Sequence, residues 1–347
     1  MMGAPVVTGQ DRRLRTLKTA VAICTIALFS ACAGGAGPDA GRDAGVEVTA
    51  DASPEIGPDS EDASPEIGVD AADVAPEAGP DTADADAEPG PRACNGHPEL
   101  CDRPFSQVSF ATSHNAMSNA DDDWLFPNQP HDLDRQLKDG LRAFMLDTHD
   151  DKGVAMLCHG TCLAGSEPLD AGLARFTAFL DAHPDEVIAF IFEAYISADA
   201  TVEAFEAAGL IDRVHVQSPE APWPTLRELL DAGTPLVVFT DKPDSGPAWY
   251  HDVWDHAFET AFSNKTKADI DCRKGRGDKE HPLFILNHFL TDPVALPELA
   301  EQINHDPFFI GKARECEAKW SRLPTFVTVD FYDIGDVFAV VDALNGL

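Results

Sequence analysis

Apolar runs that terminate in reactive side chains constrain this chain more than any other feature. Val108–Ser113 leads into His114-Asn115, Leu141–Leu146 stops at Asp147, and Val154–Cys158 stops at His159. Val187–Phe192 stops at Glu193, Pro235–Thr240 at Asp241-Lys242, and Phe326–Val329 at Asp330. Parallel strands buried on both faces read as continuous apolar runs of this kind. Chemistry gathered at the C-terminal ends of such strands is the layout of a (β/α)8 barrel enzyme. Leu283–Leu286, ending at Asn287-His288, is a seventh candidate strand, which leaves an eighth missing or irregular.

Helical patterns alternate with these runs. They cover Asp132 to Asp139, Leu169 to Ala182, Ala198 to Ala208, Leu226 to Ala232, Leu296 to Ile303, Ile310 to Trp320 and Ile334 to Leu344. Alternation of this kind predicts an α/β domain of TIM-barrel type over residues 93–347. That span is 255 residues, near the ~250 typical of the architecture.

The preceding residues read differently. Arg12, Arg13, Arg15 and Lys18 precede an 11-residue apolar stretch, Thr19 to Phe29, too short to span a bilayer. Leu28-Phe29-Ser30-Ala31-Cys32 resembles a bacterial lipoprotein cleavage box, so residues 1–32 are expected to be a signal with Cys32 lipidated. An ordinary signal peptide with an incidental cysteine is the alternative. Ala33 in place of an aspartate favours anchoring at the outer membrane or cell surface. Residues 33–92 carry 16 acids and 2 bases with few large apolar residues, and Asp51–Gly57 recurs as Asp62–Gly68. Such composition predicts an extended, disordered tether.

The signal carries +3 and the linker −14, leaving −24 of the chain's −35 on the domain. That acidity argues against nucleic acid as a partner and against tight docking on anionic membranes. No Gly-x-Ser-x-Gly elbow, P-loop or dinucleotide fingerprint is present, which removes those enzyme classes. Six domain cysteines in an exported chain suggest disulfides. Proximity favours Cys94–Cys101 and Cys158–Cys162, leaving Cys272–Cys316. A zinc site at Cys158, His159 and Cys162 is the rival, although no second half-site accompanies it.

Ser113-His114-Asn115-Ala116-Met117, Gly140–Asp147 and Leu157-Cys158-His159 together resemble the catalytic half of the phosphatidylinositol-specific phospholipase C X domain. Exported PLC-like phosphodiesterases with a Met-Leu-Asp strand end are the nearer likeness. Leu286–Thr291 and Val329–Tyr332 extend it over roughly residues 94–345. The resemblance implies a phosphoric diester hydrolase in which His114 is the general base and His159 the general acid, roles suited to imidazole near neutral pH. It implies that Asp330 orients His114, although a charge at the N-terminus of the following helix is an alternative reading. By likeness to the calcium-dependent branch, Asn115, Asp147 and Glu193 would hold Ca²⁺ through oxygen. A barrel-mouth ion pair is the plainer role for Glu193. Met145 stands where that branch carries a glutamate, and no arginine replaces Asp147 as in the metal-free branch. Lys242 is a candidate substrate contact and His288 an open one. Arg142 reads as structural, and Arg273, Lys274, Arg276 and Lys279 as a basic loop, either solvated or facing an anionic substrate. The expected substrate is a phospholipid or related diester, met by a monomer held at the membrane through its lipid. Glycerophosphodiester and sphingomyelinase D-like enzymes, which typically show Glu-x-Asp at that strand end, and a non-catalytic tethered binding domain are the alternatives.

Overall fold

The computed structural model describes residues 92–242 and 246–347. The expected signal, tether and Cys32 lie outside them, apart from Arg92, which pairs with Asp185 and Asp231. Eleven strands form the sheet: β1 (Phe110–Ser113), β2 (Ala143–Asp151), β3 (Val154–Leu157), β4 (Glu167–Pro168), β5 (Ile188–Ala194), β6 (Leu236–Thr240), β7 (Tyr250–Asp252), β8 (Ala257–Thr260), β9 (Lys274–Gly277), β10 (Leu283–Asn287) and β11 (Phe326–Val329). The helices are α1 (Leu133–Asp139), α2 (Leu169–Ala182), α3 (Ala198–Ala207), α4 (Leu226–Asp231), α5 (Pro297–Ile303), α6 (Phe308–Trp320) and α7 (Val337–Asn345).

Eight strands run parallel in the order β7-β6-β5-β2-β1-β11-β10-β8, which is the expected curled α/β barrel sheet. Among the described residues, β7 and β8 do not pair, so the barrel is open at that seam. One expectation needs correction. Val154–Cys158 is not a barrel strand: β3 folds back antiparallel on the extended end of β2, pairing Thr148 with Leu157. The missing parallel strands are β7 and β8.

Alternation along the strands separates two cores. Phe144, Phe190 and Val238 face outward and join Phe176 and Phe205 of the helices. Ala143, Ala189, Ile191, Val237 and Phe239 face into the barrel. Phe105 and Trp223 close its base, with ring centroids 4.9 Å apart. Local chemistry sets the helix ends. Asp132 accepts from Arg135 N to start α1, Gly140 ends it at φ 110°, and Thr225 with Glu228 forms a capping box on α4. The three cysteine pairs are those favoured by proximity: Cys94–Cys101, Cys158–Cys162 and Cys272–Cys316. The zinc reading of Cys158 and Cys162 therefore falls, because both sulfurs are committed to a disulfide.

Candidate active site

The barrel must be apolar until its strands reach the open end, so the first polar side chains after each run converge there. His114 and Asn115 follow β1, with Asn115 at φ 47°. Asp330 follows β11, the parallel neighbour of β1. The two termini are tied by Gln129, which donates to the carbonyls of His114 at 2.7 Å and Val329 at 3.0 Å. This brings His114 Nδ1 to 2.9 Å from Asp330 Oδ1. Asn128 donates to the same oxygen at 2.9 Å. Phe289 stacks against the imidazole face of His114 at 3.8 Å and 11°. The ring is thus held by a carboxylate on one nitrogen and by an aromatic face, leaving Nε2 to act on a ligand.

His159 sits in the loop after β3, inside the Cys158–Cys162 ring. Its Nε2 lies 3.2 Å from the Asn115 amide nitrogen, and it lines a cleft of about 410 Å³ with His114. The residue is exposed overall and lines the wall of the cleft. Desolvation there, followed by the charge of the neighbouring His114, lowers its pKa below the ordinary imidazole value.

Asp147 on β2 and Glu193 on β5 are direct register partners. Burial pushes the Asp147 carboxyl well above the usual range, and the charges of Glu193 and Asp241 add to this. Tyr195 donates its hydroxyl to Glu193, and its ring stacks on His149 at 4.5 Å. Asp241 accepts from Ala194 N at 3.0 Å, and burial raises its pKa. Asn115, Asp147 and Glu193 face both cavities at the barrel mouth, the deeper of about 160 Å³ floored by Met145, Ile191 and Ile285. Their side chains offer carboxylate and amide oxygens, the ligand type a hard divalent ion takes, beside the cationic side chains of Lys242 and Arg276. Among the described residues, no three His, Cys, Asp or Glu side chains gather to hold a metal ion.

Other expected residues resolve differently. Lys242 is exposed at the rim, its Nζ 3.1 Å from the Tyr195 ring centroid. His288 faces away from the cavity. It is fully buried, bonds Ile303 O at 2.9 Å and stacks on Phe309, and burial pulls its pKa to about 4. Arg142 is structural, bound to Glu186 at 2.6 Å and to the Leu137 and Leu141 carbonyls. Of the basic loop, only Arg276 lines the deeper cavity. Its guanidinium pairs with buried Glu259 at 2.6 Å and lies over the rings of Trp254 and Phe262. Sequence reasoning missed Asn128, Gln129, Phe289 and Glu259. The last had one weak signal, an acid directly after the short apolar pair Ala257-Phe258.

A family model for the PI-PLC X 1 domain matches residues 100–345. PI-PLC X domain-containing protein 1 of Arthroderma benhamiae is 32% identical over 279 residues, covering 73% of this chain and 90% of that protein. A secreted protein of the same fungus is 28% identical, and a PI-PLC X domain-containing protein of Arabidopsis thaliana is 27% identical. The matches cover 74% and 70% of this chain but only 64% and 63% of those two relatives. A phosphatidylinositol-specific phospholipase C of Staphylococcus aureus, in a mutant form, aligns at TM-score 0.49 and 14% identity over 71% of this chain and 95% of its own. The domain match and the Arthroderma relative together place this chain in the PI-PLC X domain family, with its PLC-like phosphodiesterase barrel.

Proposed function

We propose that the protein is a phosphoric diester hydrolase that cleaves phosphatidylinositol or a related diester by paired histidine catalysis. One observation carries this reading: His114, held by Asp330, and His159 line the same cleft at the barrel mouth. His114 Nε2 takes the proton from a substrate hydroxyl beside the phosphate, and that oxygen attacks phosphorus. Asp330 holds the tautomer in which Nδ1 carries hydrogen and stabilises the imidazolium as it forms. His159 gives its proton to the departing alkoxide, and a cyclic phosphodiester is released. The lowered pKa of His159 makes it a ready proton donor once it is charged.

A divalent cation, when bound, would offset charge developing on the phosphoryl oxygens. Asn115, Asp147 and Glu193 are the residues that would hold it, and Ca²⁺ is the proposed ion. Lys242 stands at the rim as a contact for an arriving headgroup. Export is supported by three disulfides and by a secreted relative. Among the described residues, no helix is long and apolar enough to cross a membrane. Attachment through a lipid on Cys32 would supply membrane proximity.

The test is turnover of phosphatidylinositol, glycerophosphoinositol, glycerophosphocholine and sphingomyelin, each with Ca²⁺ and with EDTA. Release of a cyclic inositol phosphate, lost in His114→Asn and His159→Asn, is expected. Cleavage of the choline diesters alone would transfer the protein to the glycerophosphodiester or sphingomyelinase D-like class. Full activity in both variants would remove the histidine mechanism.

A further inference from the structure

We propose that the Cys158–Cys162 disulfide is the positioning device for the general acid, so that turnover of substrates with poor leaving groups requires it oxidised. This rests on the reading of His159 as the proton donor. His159 stands inside the five-residue ring that the disulfide closes. Its ring has one side-chain hydrogen-bond partner among the described residues, the Asn115 amide at 3.2 Å. His159 and Gly160 are exposed, so packing does not hold them. The backbone does. Cys158 is buried and donates to Asp147 O at 3.2 Å, which fixes one end of the ring to β2. Thr161 N donates to His159 O at 2.7 Å, Ala164 N to Thr161 O at 3.0 Å, and Leu125 N to Ala164 O at 2.7 Å. The other end is therefore tied to the loop that follows β1. The disulfide joins these two anchored ends across the histidine. Without it, His159 rides on an exposed loop whose motion takes the imidazole out of reach of the leaving oxygen.

The position of this disulfide adds a redox consequence. Cys94, Cys101, Cys272 and Cys316 are buried, as is Cys158, whereas Cys162 is partly exposed. A small thiol reductant such as dithiothreitol reaches this bond first. Two electrons and two protons pass to the sulfurs, giving two thiols, and the reductant closes to its own disulfide.

A leaving-group comparison separates acid placement from general damage. An alkoxide needs a proton as it departs, and a 4-nitrophenolate does not. Inositol phosphodiesters bearing an n-alkyl or a 4-nitrophenyl group would be turned over by the wild type, His159→Ala and the double variant Cys158→Ala/Cys162→Ser. The double variant is expected to lose about 10- to 100-fold in kcat on the alkyl diester. Its rate on the nitrophenyl diester should stay within about threefold, and His159→Ala should show the same split. Equal loss on both substrates, or no loss on either, overturns the proposal. A His159→Ala enzyme with no split instead overturns the general-acid reading, and the proposal with it. If the double variant does not fold, wild-type enzyme titrated with dithiothreitol gives the same comparison. Alkylation and peptide mass then follow Cys158 and Cys162, and the alkyl rate must fall with their labelling while the nitrophenyl rate holds.

Discussion

Replacing Asp147 by asparagine should stabilise the metal-free protein while removing turnover. Asp147 is 5% exposed, and among the described residues no donor hydrogen-bonds its carboxylate. Glu193 and Asp241 oppose its charge, and Lys242 is the one favourable charge acting on it. The native carboxyl therefore holds its proton more tightly than in the unfolded chain. By linkage, this penalty is absent below the unfolded titration and grows as pH rises toward the native one. Burying an unpaired ion costs several kcal/mol, and burying an amide without partners costs about 1–3 kcal/mol. The open cleft reduces both, so a net gain on the order of 1–3 kcal/mol at pH 8 is expected. At about 2–4 °C per kcal/mol for a domain of this size, the midpoint should rise by roughly 2–12 °C. Thermal unfolding followed by circular dichroism in EDTA at pH 5 and pH 8 measures it, and the gain should be larger at pH 8. Millimolar Ca²⁺ should raise the midpoint of the wild type and not of the variant. A variant less stable than wild type at pH 8 would refute the reasoning, because the carboxylate would then have a native partner of its own. No Ca²⁺ response in the wild type would remove the metal proposal.

Three further outcomes are expected. In an NMR titration, His159 should lose its proton below the ordinary imidazole value of about 6.5, and lower still in Glu193→Gln, since the Glu193 charge helps retain that proton. Asn128→Leu removes one of two donors on Asp330 Oδ1 and should lower kcat about tenfold with little change in KM, whereas Asp330→Asn should cost about 10²–10³. His288 is held neutral to about pH 4, so the native state takes up fewer protons than the unfolded chain between pH 6.5 and 4. Stability should fall by about 3 kcal/mol across that window, and urea titrations of His288→Gln should show a flatter slope.

The barrel was legible wherever a strand is buried on both faces. β1, β2, β5, β6, β10 and β11 each begin within about two residues of an apolar run. Val154–Cys158 has the same character and another role, because apolar content reports burial and says nothing of the pairing partner. β7 and β8 escaped for the opposite reason. Tyr250-His251-Asp252 is short and polar, yet it joins β6 with His251 bonded to Val238 O and Gln217 N. Ala257–Thr260 carries Glu259, whose charge is met by Arg276 from the hairpin strand β9. Both strands satisfy polar side chains through residues distant in the chain. The last helix begins at Val337 and not at Ile334, since Phe331 at φ 48° and Gly335 at φ 84° turn the chain first. A Cβ on Gly335 would lie 2.2 Å from Asn304 O, so the turn requires glycine there.

The same distinction governs the site. His114, Asp147, Glu193 and Asp330 stand out because β1, β2, β5 and β11 carry no titratable residue until near the barrel mouth, and the first one stands at that open end. Asn128 and Gln129 have no such frame. They lie in the irregular segment between β1 and α1, and their partners are Asp330, some 200 residues on, and main-chain carbonyls that carry no sequence signature. Phe289 looks like any core aromatic, although its ring lies flat on the proposed base. Groups that meet substrate must break the apolar pattern, and groups that aim them need only reach a neighbour. It follows that substitutions at Asn128 and Gln129 should alter the pH dependence and kcat of the reaction more than substrate affinity, because the contacts they lose are with His114, Val329 and Asp330, and neither residue lines the cleft.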